Sequence, residues 1–136
     1  MSHLKITINS FSYRQGIPDD PAGNGGGHVF DCRALTNPGM LSEYKALSGR
    51  DAPVITFLKT HSEADRFVDN AFRIVEQSIS AYLQAGYTHL MVSFGCTGGQ
   101  HRSVYCTEAL AAKIRADYDV DLTLVHHEQQ GWSAKS

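Results

Sequence analysis

Residues 88–103 of the chain read Thr88-His89-Leu90-Met91-Val92-Ser93-Phe94-Gly95-Cys96-Thr97-Gly98-Gly99-Gln100-His101-Arg102-Ser103. The first seven residues are rich in strand formers, and the following segment from Val104 to Tyr118 has the periodicity of a helix. The glycines therefore fall where a buried strand passes into a helix. Backbone N–H groups in such a turn can surround an oxyanion, the helix N-terminus adds its positive dipole end, and Arg102 offers a planar bidentate fork. The pattern predicts a phosphate-binding loop made of Cys96, Thr97, Gly98, Gly99, Gln100, His101, Arg102 and Ser103.

The same stretch also has the spacing Cys-x-x-Gly-x-x-Arg-Ser, which resembles the phosphate loop of cysteine-dependent phosphatases. In such a loop the arginine and the amides favour a thiolate that attacks phosphorus. Cys96, Arg102 and Ser103 would then be the catalytic residues of a Cys96-x5-Arg102 phosphatase. However, Gly95 stands where these enzymes usually carry histidine, and the sequence assigns no aspartate as general acid. We therefore expect binding without turnover, with phosphatase chemistry and an inert glycine-rich connection as the alternatives.

Composition places limits on the class of protein. The 136 residues, 42% of them hydrophobic, suffice for one compact domain, so we expect a single domain over residues 1–136. Twelve Lys and Arg against fourteen Asp and Glu give a net charge of -2, which does not indicate binding to nucleic acid or to anionic membranes. Three cysteines without metal-ligand spacing, and no apolar leader or membrane span, favour the cytoplasm. We expect no cofactor, no metal and no membrane contact.

Strand-like and helix-like segments alternate along the chain. Segments 5–11, 28–33, 88–94 and 120–126 read as strands, the first with one buried face. The clearest helix spans about Ser62 to Ala85, with Ser62 as its cap and Gly86 at its end, and 53–58 favours a further helix. This order predicts an α/β fold: a single three-layer domain with a mostly parallel sheet and helices on both faces. Right-handed crossovers would place the Cys96 loop at the carboxyl edge of the sheet, beside the end of the first strand if the two are neighbours.

Two other features adjoin this predicted crevice. Segment 13–28 is dominated by glycine, proline and aspartate and is predicted to be a long surface loop. Asp31 and Arg33 close the second strand, where ligands of α/β proteins bind. We regard them as candidate ligand contacts, and the alternative is an ion pair that holds the loop.

Several segments together match a known family: Phe11-Ser12-Tyr13-Arg14-Gln15-Gly16-Ile17-Pro18, Asp31-Cys32-Arg33 with Asn37-Pro38, Gly49, Pro53, and Gly95 to Tyr105. From the first strand to about Leu110 the chain resembles the C-terminal domain of the RNase adapter RapZ family. Members of that family carry a P-loop nucleotide-binding domain before this module. The sequence contains no Gly-x-x-x-x-Gly-Lys-Ser/Thr, so we expect a stand-alone version of the C-terminal domain.

The resemblance implies a sensor that binds glucosamine-6-phosphate and, when this sugar is scarce, a small regulatory RNA and a ribonuclease. Carried over by position, Cys96 to Ser103 would hold the phosphate. His101 would orient the loop or donate to the ligand, and the alternative is a structural histidine that bonds a backbone carbonyl. The remaining pocket residues would be Arg14, Asp31 and Arg33 on the opposite wall, and Ser12, Gln15 and Asn37 as hydrogen-bonding neighbours of the sugar, with Gly16 in the same turn.

The chain departs from that family in two places. Gln15 stands where relatives often carry histidine, which affects sugar preference. The tail, His126 to Ser136, has one fixed positive side chain, Lys135, where RNA-binding relatives carry a basic cluster, so we expect RNA binding to be weak or absent unless a protein partner or a homo-oligomer supplies the charge. Within this tail, His126 and His127 lie on opposite faces of a predicted strand and do not predict a metal site.

Overall fold

The computed structural model describes residues 4–132 of the chain as an α/β fold. Its helices and strands, in chain order, are β1 (Lys5–Ser12), β2 (His28–Asp31), α1 (Ala52–His61), α2 (Ala64–Ala85), β3 (His89–Cys96), α3 (Arg102–Asp117) and β4 (Asp121–His126). The strands form one sheet in the order β2-β3-β1-β4, and every pair is parallel. The predicted α/β class and parallel sheet are confirmed. The predictions for the chain start at Met1 and for Lys135 fall outside the described residues.

The helices contact one face of the sheet. Successive strand residues point to opposite faces, and Ile6 and Ile8 of β1 belong to the same buried cluster as Val92 and Phe94 of β3. That cluster also contains residues of all three helices: Val54, Leu58, Ala64, Val68, Ala71, Val75, Ile79, Cys106, Leu110, Ala111 and Ile114. On the opposite face, Thr7 and Met91 border a cavity that is also lined by residues 20–26 of the connection between β1 and β2. Irregular chain therefore covers part of that face, where the sequence predicted helices.

The first strand lies between two neighbours. We expected it to have one buried face, but Asn9, Ser10, Phe11 and Ser12 are all buried, so that expectation is wrong for its carboxyl half. The reason is the sheet order, which places β3 and β4 on either side of β1. Consequently the end of β1 is buried at the centre of the sheet, where the connections that follow the strands meet.

The predicted helices are present with small shifts. Segment 53–58 lies inside α1, and α2 ends at Gly86, whose φ of 77° is the left-handed conformation that glycine adopts at helix ends. Ser62 precedes α2 by one more residue than expected. Its hydroxyl donates to Leu58 O at 2.7 Å and accepts from Ala64 N at 3.1 Å, so it joins the end of α1 to the start of α2.

Candidate phosphate-binding site

The predicted loop lies between β3 and α3 at the carboxyl edge of the sheet. Ser12 of β1 pairs with Cys96 of β3, and Asp31 of β2 pairs with Gly95. Three parallel strands thus end beside residues 97–101, as the crossover rule predicted. Ligands of open parallel sheets bind at this edge, because the connections there leave a crevice.

The backbone of the loop turns its carbonyl groups toward the surrounding chain. Four of these oxygens accept hydrogen bonds: Cys96 O from Tyr13 N (3.0 Å), Thr97 O from Ser12 Oγ (2.6 Å), Gly99 O from Trp132 Nε1 (3.1 Å) and Gln100 O from Gly49 N (2.9 Å). The described peptide bonds are trans, so the N–H that follows each carbonyl points away from it. Donors from outside the loop therefore occupy these four carbonyl oxygens.

Helix α3 begins at Arg102, directly after the loop, and adds its N-terminus to the same site. Its cap residue, His101, makes no side-chain cap hydrogen bond, and the first turn contains no acidic residue. The first amides of a helix lack partners within the helix and carry partial positive charge. The end of α3 therefore favours a bound anion.

Arg102 is 5% exposed and is divided between two roles. Its Nη1 donates to the carbonyl oxygens of Arg33 (2.8 Å) and Leu35 (3.1 Å). Its Nε is buried and has no hydrogen-bond partner among the described residues. A buried donor without a partner is rare in folded proteins, because leaving it unsatisfied costs roughly 1–3 kcal/mol. The Nε of Arg102 thus has a hydrogen-bonding capacity that no described residue uses.

Cys96 and Ser103 face each other beneath the loop. Both side chains are buried, and the Cys96 thiol donates to Ser103 Oγ at 3.1 Å. Gly95 occupies the position at which phosphatases of this type carry histidine, and the structure has no room for a side chain there. A Cβ at this position would lie 2.4 Å from the Phe11 ring and 2.6 Å from the Tyr13 ring.

Two loop side chains bind the segment that precedes α1. Gln100 Nε2 donates to Lys45 O at 2.9 Å and to Leu47 O at 2.7 Å, while His101 Nε2 lies 2.8 Å from Tyr44 O. Because a carbonyl only accepts, His101 donates from Nε2, and burial lowers the pKa of its imidazole below the ordinary 6.5. His101 therefore bonds a backbone carbonyl as a neutral ring, as in the structural alternative considered from sequence.

A cleft of about 390 Å³ opens over the loop. This volume lies in the range of small-molecule sites. Arg14 and Asn37 line it opposite the loop, and Asn37 Oδ1 is already bonded to Gly39 N at 2.9 Å, which leaves its Nδ2 as a donor. The lining residues are Arg14, Asn37, Gly39, Cys96, Thr97, Gly98, Gln100, His101 and Arg102.

The remaining candidate residues lie outside the lining of the cleft. Asp31 and Arg33 form a two-pronged ion pair at 2.9 and 2.8 Å, both about half exposed, with the guanidinium 3.8 Å from the centre of the Tyr13 ring. This bond lowers the pKa of Asp31, and the pair has the geometry of the loop-holding alternative. Ser12 connects β1 to the loop through Thr97 O. Gln15 and Gly16 form the turn after β1, where both amides donate to Ser12 O.

A larger cavity of about 600 Å³ lies at the opposite edge of the sheet, near the amino end of β3. Its acidic side chain, Asp20, already accepts from the amides of Ala22, Asn24 and Gly26. Its lining contains no lysine or arginine among the described residues. Size alone would favour this cavity, but the smaller cleft has the buried cation Arg102 and the N-terminus of α3, so we place the candidate site there.

Sequence reasoning did not select three contributors to the site. Gly39 lines the cleft, and the turn signal Asn37-Pro38-Gly39 was the indication in the sequence for it. Leu35 provides a carbonyl oxygen for Arg102. Trp132 donates to Gly99 O from the far end of the chain. Trp132 is the one tryptophan of the sequence and lies in a polar tail, which was the indication in the sequence for a role of this residue.

Within residues 4–132, no group of three or more His, Cys, Asp or Glu side chains is arranged to hold a metal ion. In the same part of the chain, every helix is too short or too polar to cross a lipid bilayer. These findings bear on residues 4–132 and leave the cleft as the feature to be explained.

Comparison with known proteins relates the chain to a family. A protein named nucleotide-binding protein from Polaromonas naphthalenivorans is 42% identical over 130 residues, which are 93% of this chain and 41% of that protein. Relatives with the same name from Dinoroseobacter shibae and Mycobacteroides abscessus are 42% and 33% identical, over 84% and 94% of this chain. The chain spans about two fifths of the length of these relatives.

The model of the RapZ C-terminal domain family matches residues 4–130. This range includes all four strands, all three helices and the whole lining of the cleft. The chain therefore belongs to the RapZ C-terminal domain family.

Proposed function

We infer that this chain is a non-catalytic binding module for a phosphorylated sugar, most specifically an amino sugar phosphate such as glucosamine-6-phosphate. The observation that carries the proposal is the buried Nε of Arg102, a residue that lines the cleft, since this nitrogen has no partner among the described residues. A phosphate group has enough acceptor oxygens for that donor and for several amides at once.

The phosphate would lie in the loop between Cys96 and Ser103. The carbonyl groups of this loop are bonded outward, and the helix that begins at Arg102 adds partial positive charge at the same point. The guanidinium supplies a full positive charge that is shielded from water, which strengthens its attraction to an anion. No acidic residue lines the described cleft, so no like charge opposes the phosphate.

The sugar would extend from the loop toward Arg14 and Asn37. Both line the opposite side of the cleft and can donate hydrogen bonds to hydroxyl groups. A cleft of about 390 Å³ accommodates a hexose phosphate, since drug-sized ligands occupy roughly 300–1,000 Å³. This arrangement supports a ligand with a phosphate at one end and several hydroxyls at the other.

Binding without turnover is favoured by the groups around Cys96. A cysteine phosphatase needs a general acid for the leaving group, and the described cleft is lined by no aspartate or glutamate. The position before Cys96 has no room for a side chain, because Phe11 and Tyr13 occupy the space.

A regulatory or adapter role follows from membership of the family, and for this chain it is part of the proposal. Ligand occupancy would be transmitted to a protein partner or to a second copy of the chain. Strong RNA binding is not part of the proposal, because the net charge of -2 and the single lysine of the tail offer few phosphate contacts.

Isothermal titration calorimetry of the full chain tests the proposal with three ligands: glucosamine-6-phosphate, glucosamine and inorganic phosphate. We expect glucosamine-6-phosphate to bind most tightly, inorganic phosphate more weakly and glucosamine not measurably. An assay with p-nitrophenyl phosphate in the same buffer should show no turnover above that of Cys96→Ser. Equal affinity for glucosamine and its phosphate would contradict the phosphate site, and turnover that Cys96→Ser abolishes would favour the phosphatase.

The sugar part of the cleft has its own matched variants. Asn37→Ala removes a lining donor, whereas Gln15→Ala changes an exposed residue outside the lining. We expect Asn37→Ala to weaken glucosamine-6-phosphate while leaving inorganic phosphate unchanged, and Gln15→Ala to alter neither. A loss of glucosamine-6-phosphate affinity in Gln15→Ala alone would show that the sugar lies elsewhere.

A further inference from the structure

The end of the described chain contacts the outer side of the phosphate-binding loop. Trp132 Nε1 donates to Gly99 O at 3.1 Å. Glu128 lies against the same residue, since a Cβ on Gly99 would stand 2.7 Å from Glu128 Cγ. Gly99 itself has a φ of 70°, a conformation that other residues adopt only with strain. One residue of the loop is therefore held by two residues of the segment that follows β4.

That segment is itself tied to the centre of the sheet. His127 N donates to Ser10 O at 3.0 Å, and the His127 ring lies 2.9 Å from Asn9 Oδ1. The ring of His126 lies 5.6 Å from the Trp132 ring and bonds Ser10 and Glu108 at 2.6 and 2.7 Å. Residues 126–132 thus form a braced connection between the sheet and the loop, and we name them the C-terminal strap.

The peptide between Gly99 and Gln100 joins the strap to the cleft. Its carbonyl accepts from Trp132, and because the peptide is trans its N–H points to the opposite side. Gln100 lines the cleft, and the proposed anion site would use this N–H as one of its donors. A bond on one side of a planar peptide fixes the direction of the group on the other side. A ligand that accepts from Gln100 N and the indole that donates to Gly99 O also polarise the same peptide, so each strengthens the other.

We propose that Trp132 is a positioning residue of the anion site and that it couples occupancy of the loop to the C-terminal strap. The inference rests on the proposed function, because it requires an anion in the loop. Coupling of this kind is reciprocal: if the indole improves anion binding, the anion must tighten the hold on Trp132 by the same factor. The strap is then the route by which the state of the cleft reaches Trp132, the last described residue.

The experiment uses the single tryptophan of the chain as its own reporter. Inorganic phosphate and glucosamine-6-phosphate are titrated into the full chain, and the indole N–H resonance is followed by proton–nitrogen correlation NMR. We expect this resonance to move with the same Kd that calorimetry gives, and its hydrogen exchange to slow on binding. In Arg102→Ala, which removes the guanidinium at the site, phosphate at the same concentration should leave the resonance in place.

The matched variants are Trp132→Phe, which keeps a ring but removes the donor, and Gln130→Ala, an exposed change in the same strap. We expect Trp132→Phe to bind phosphate about twofold to tenfold more weakly, the scale of one neutral hydrogen bond, and Gln130→Ala to bind normally. Thermal unfolding shows whether each variant is folded. If Trp132→Phe does not fold, the wild-type resonance decides the question.

The outcomes separate this inference from the proposed function. Wild-type protein that binds neither phosphate nor glucosamine-6-phosphate overturns both. Protein that binds phosphate with an unmoved indole resonance and an unchanged Kd in Trp132→Phe overturns the coupling and leaves the proposed function standing. A moved resonance together with weaker binding by Trp132→Phe supports the coupling.

Discussion

Replacing Arg102 by alanine removes two kinds of interaction at once, and the structure separates them. Nη1 donates to the carbonyls of Arg33 and Leu35, while Nε has no partner among the described residues, and Arg102 lines the cleft. The first group of bonds contributes to stability. The second is available to a ligand. The variant should therefore lose both stability and phosphate affinity.

The expected loss of affinity follows from the bond that the guanidinium would make. A hydrogen bond to a charged group contributes about 1.5–3 kcal/mol, which corresponds to a roughly 10- to 150-fold weaker Kd for inorganic phosphate or glucosamine-6-phosphate. Because Arg102 is 5% exposed, water screens this interaction little, and the loss should persist at moderate salt.

The expected loss of stability follows from the two carbonyl bonds. Removal leaves Arg33 O and Leu35 O without this donor, at a cost of about 2–4 kcal/mol in the free energy of unfolding, since part of the loss is offset by no longer burying a charge. The segment that carries these carbonyls should loosen first.

Urea unfolding and calorimetry on the same preparations measure the two losses. Arg33→Ala is the matched control, because this arginine is half exposed and its side chain lies outside the cleft lining. We expect the control to retain phosphate affinity and nearly all of its stability. A folded Arg102→Ala that binds phosphate as tightly as wild type would refute the assignment of this residue to the site.

Three further predictions concern the loop. Gly99→Ala should lose about 1–2 kcal/mol of stability and bind phosphate more weakly, because the φ of Gly99 is 70° and the new Cβ would meet Glu128. Urea unfolding and calorimetry measure the two effects. Unchanged stability and affinity would contradict the loop geometry. Cys96→Ser should keep phosphate affinity within about threefold in calorimetry, since amides and Arg102 make the contacts. Burial lowers the pKa of His101, so as the pH drops below 6.5 this residue is protonated in the unfolded chain before it is protonated in the folded protein. The free energy of unfolding, measured by urea titration, should therefore fall with pH in that range. His101→Asn should make this fall smaller.

The sequence predicted local features well where local rules determine them. The strand, the glycine turn and the helix around Cys96 follow from residue pattern, and Gly86 ends α2 as its lack of a Cβ allows. The position of the loop beside Ser12 also followed, because parallel crossovers restrict the topology.

Features that depend on distant contacts were beyond the sequence. The carbonyls of Tyr44, Lys45 and Leu47 anchor the loop, yet this segment has no regular pattern from which its position can be predicted. Arg102 could be identified as a phosphate ligand by spacing, but its second role depends on where Arg33 and Leu35 place their backbone. The contact of Trp132 with Gly99 joins residues 33 positions apart in the sequence.

Side-chain pairing at the end of β2 keeps two candidate residues out of the cleft lining. Asp31 and Arg33 do close β2 at the correct edge of the sheet, but their side chains pair with each other. A charged residue at the end of a strand can bind a ligand or hold its own loop, and sequence does not distinguish these outcomes. Asn37, six residues later, reaches the cleft through a turn instead.

A crystal structure of the chain grown with glucosamine-6-phosphate shows directly whether the loop binds the phosphate. We expect a phosphate within the loop, with oxygens about 2.7–3.2 Å from Arg102 Nε and from the amides of Gln100 and neighbouring residues, the ordinary length of such hydrogen bonds. The sugar should extend toward Asn37. Phosphate density in the larger cavity near Asp20, or a loop without density while Arg102 Nε bonds a protein carbonyl, would contradict it.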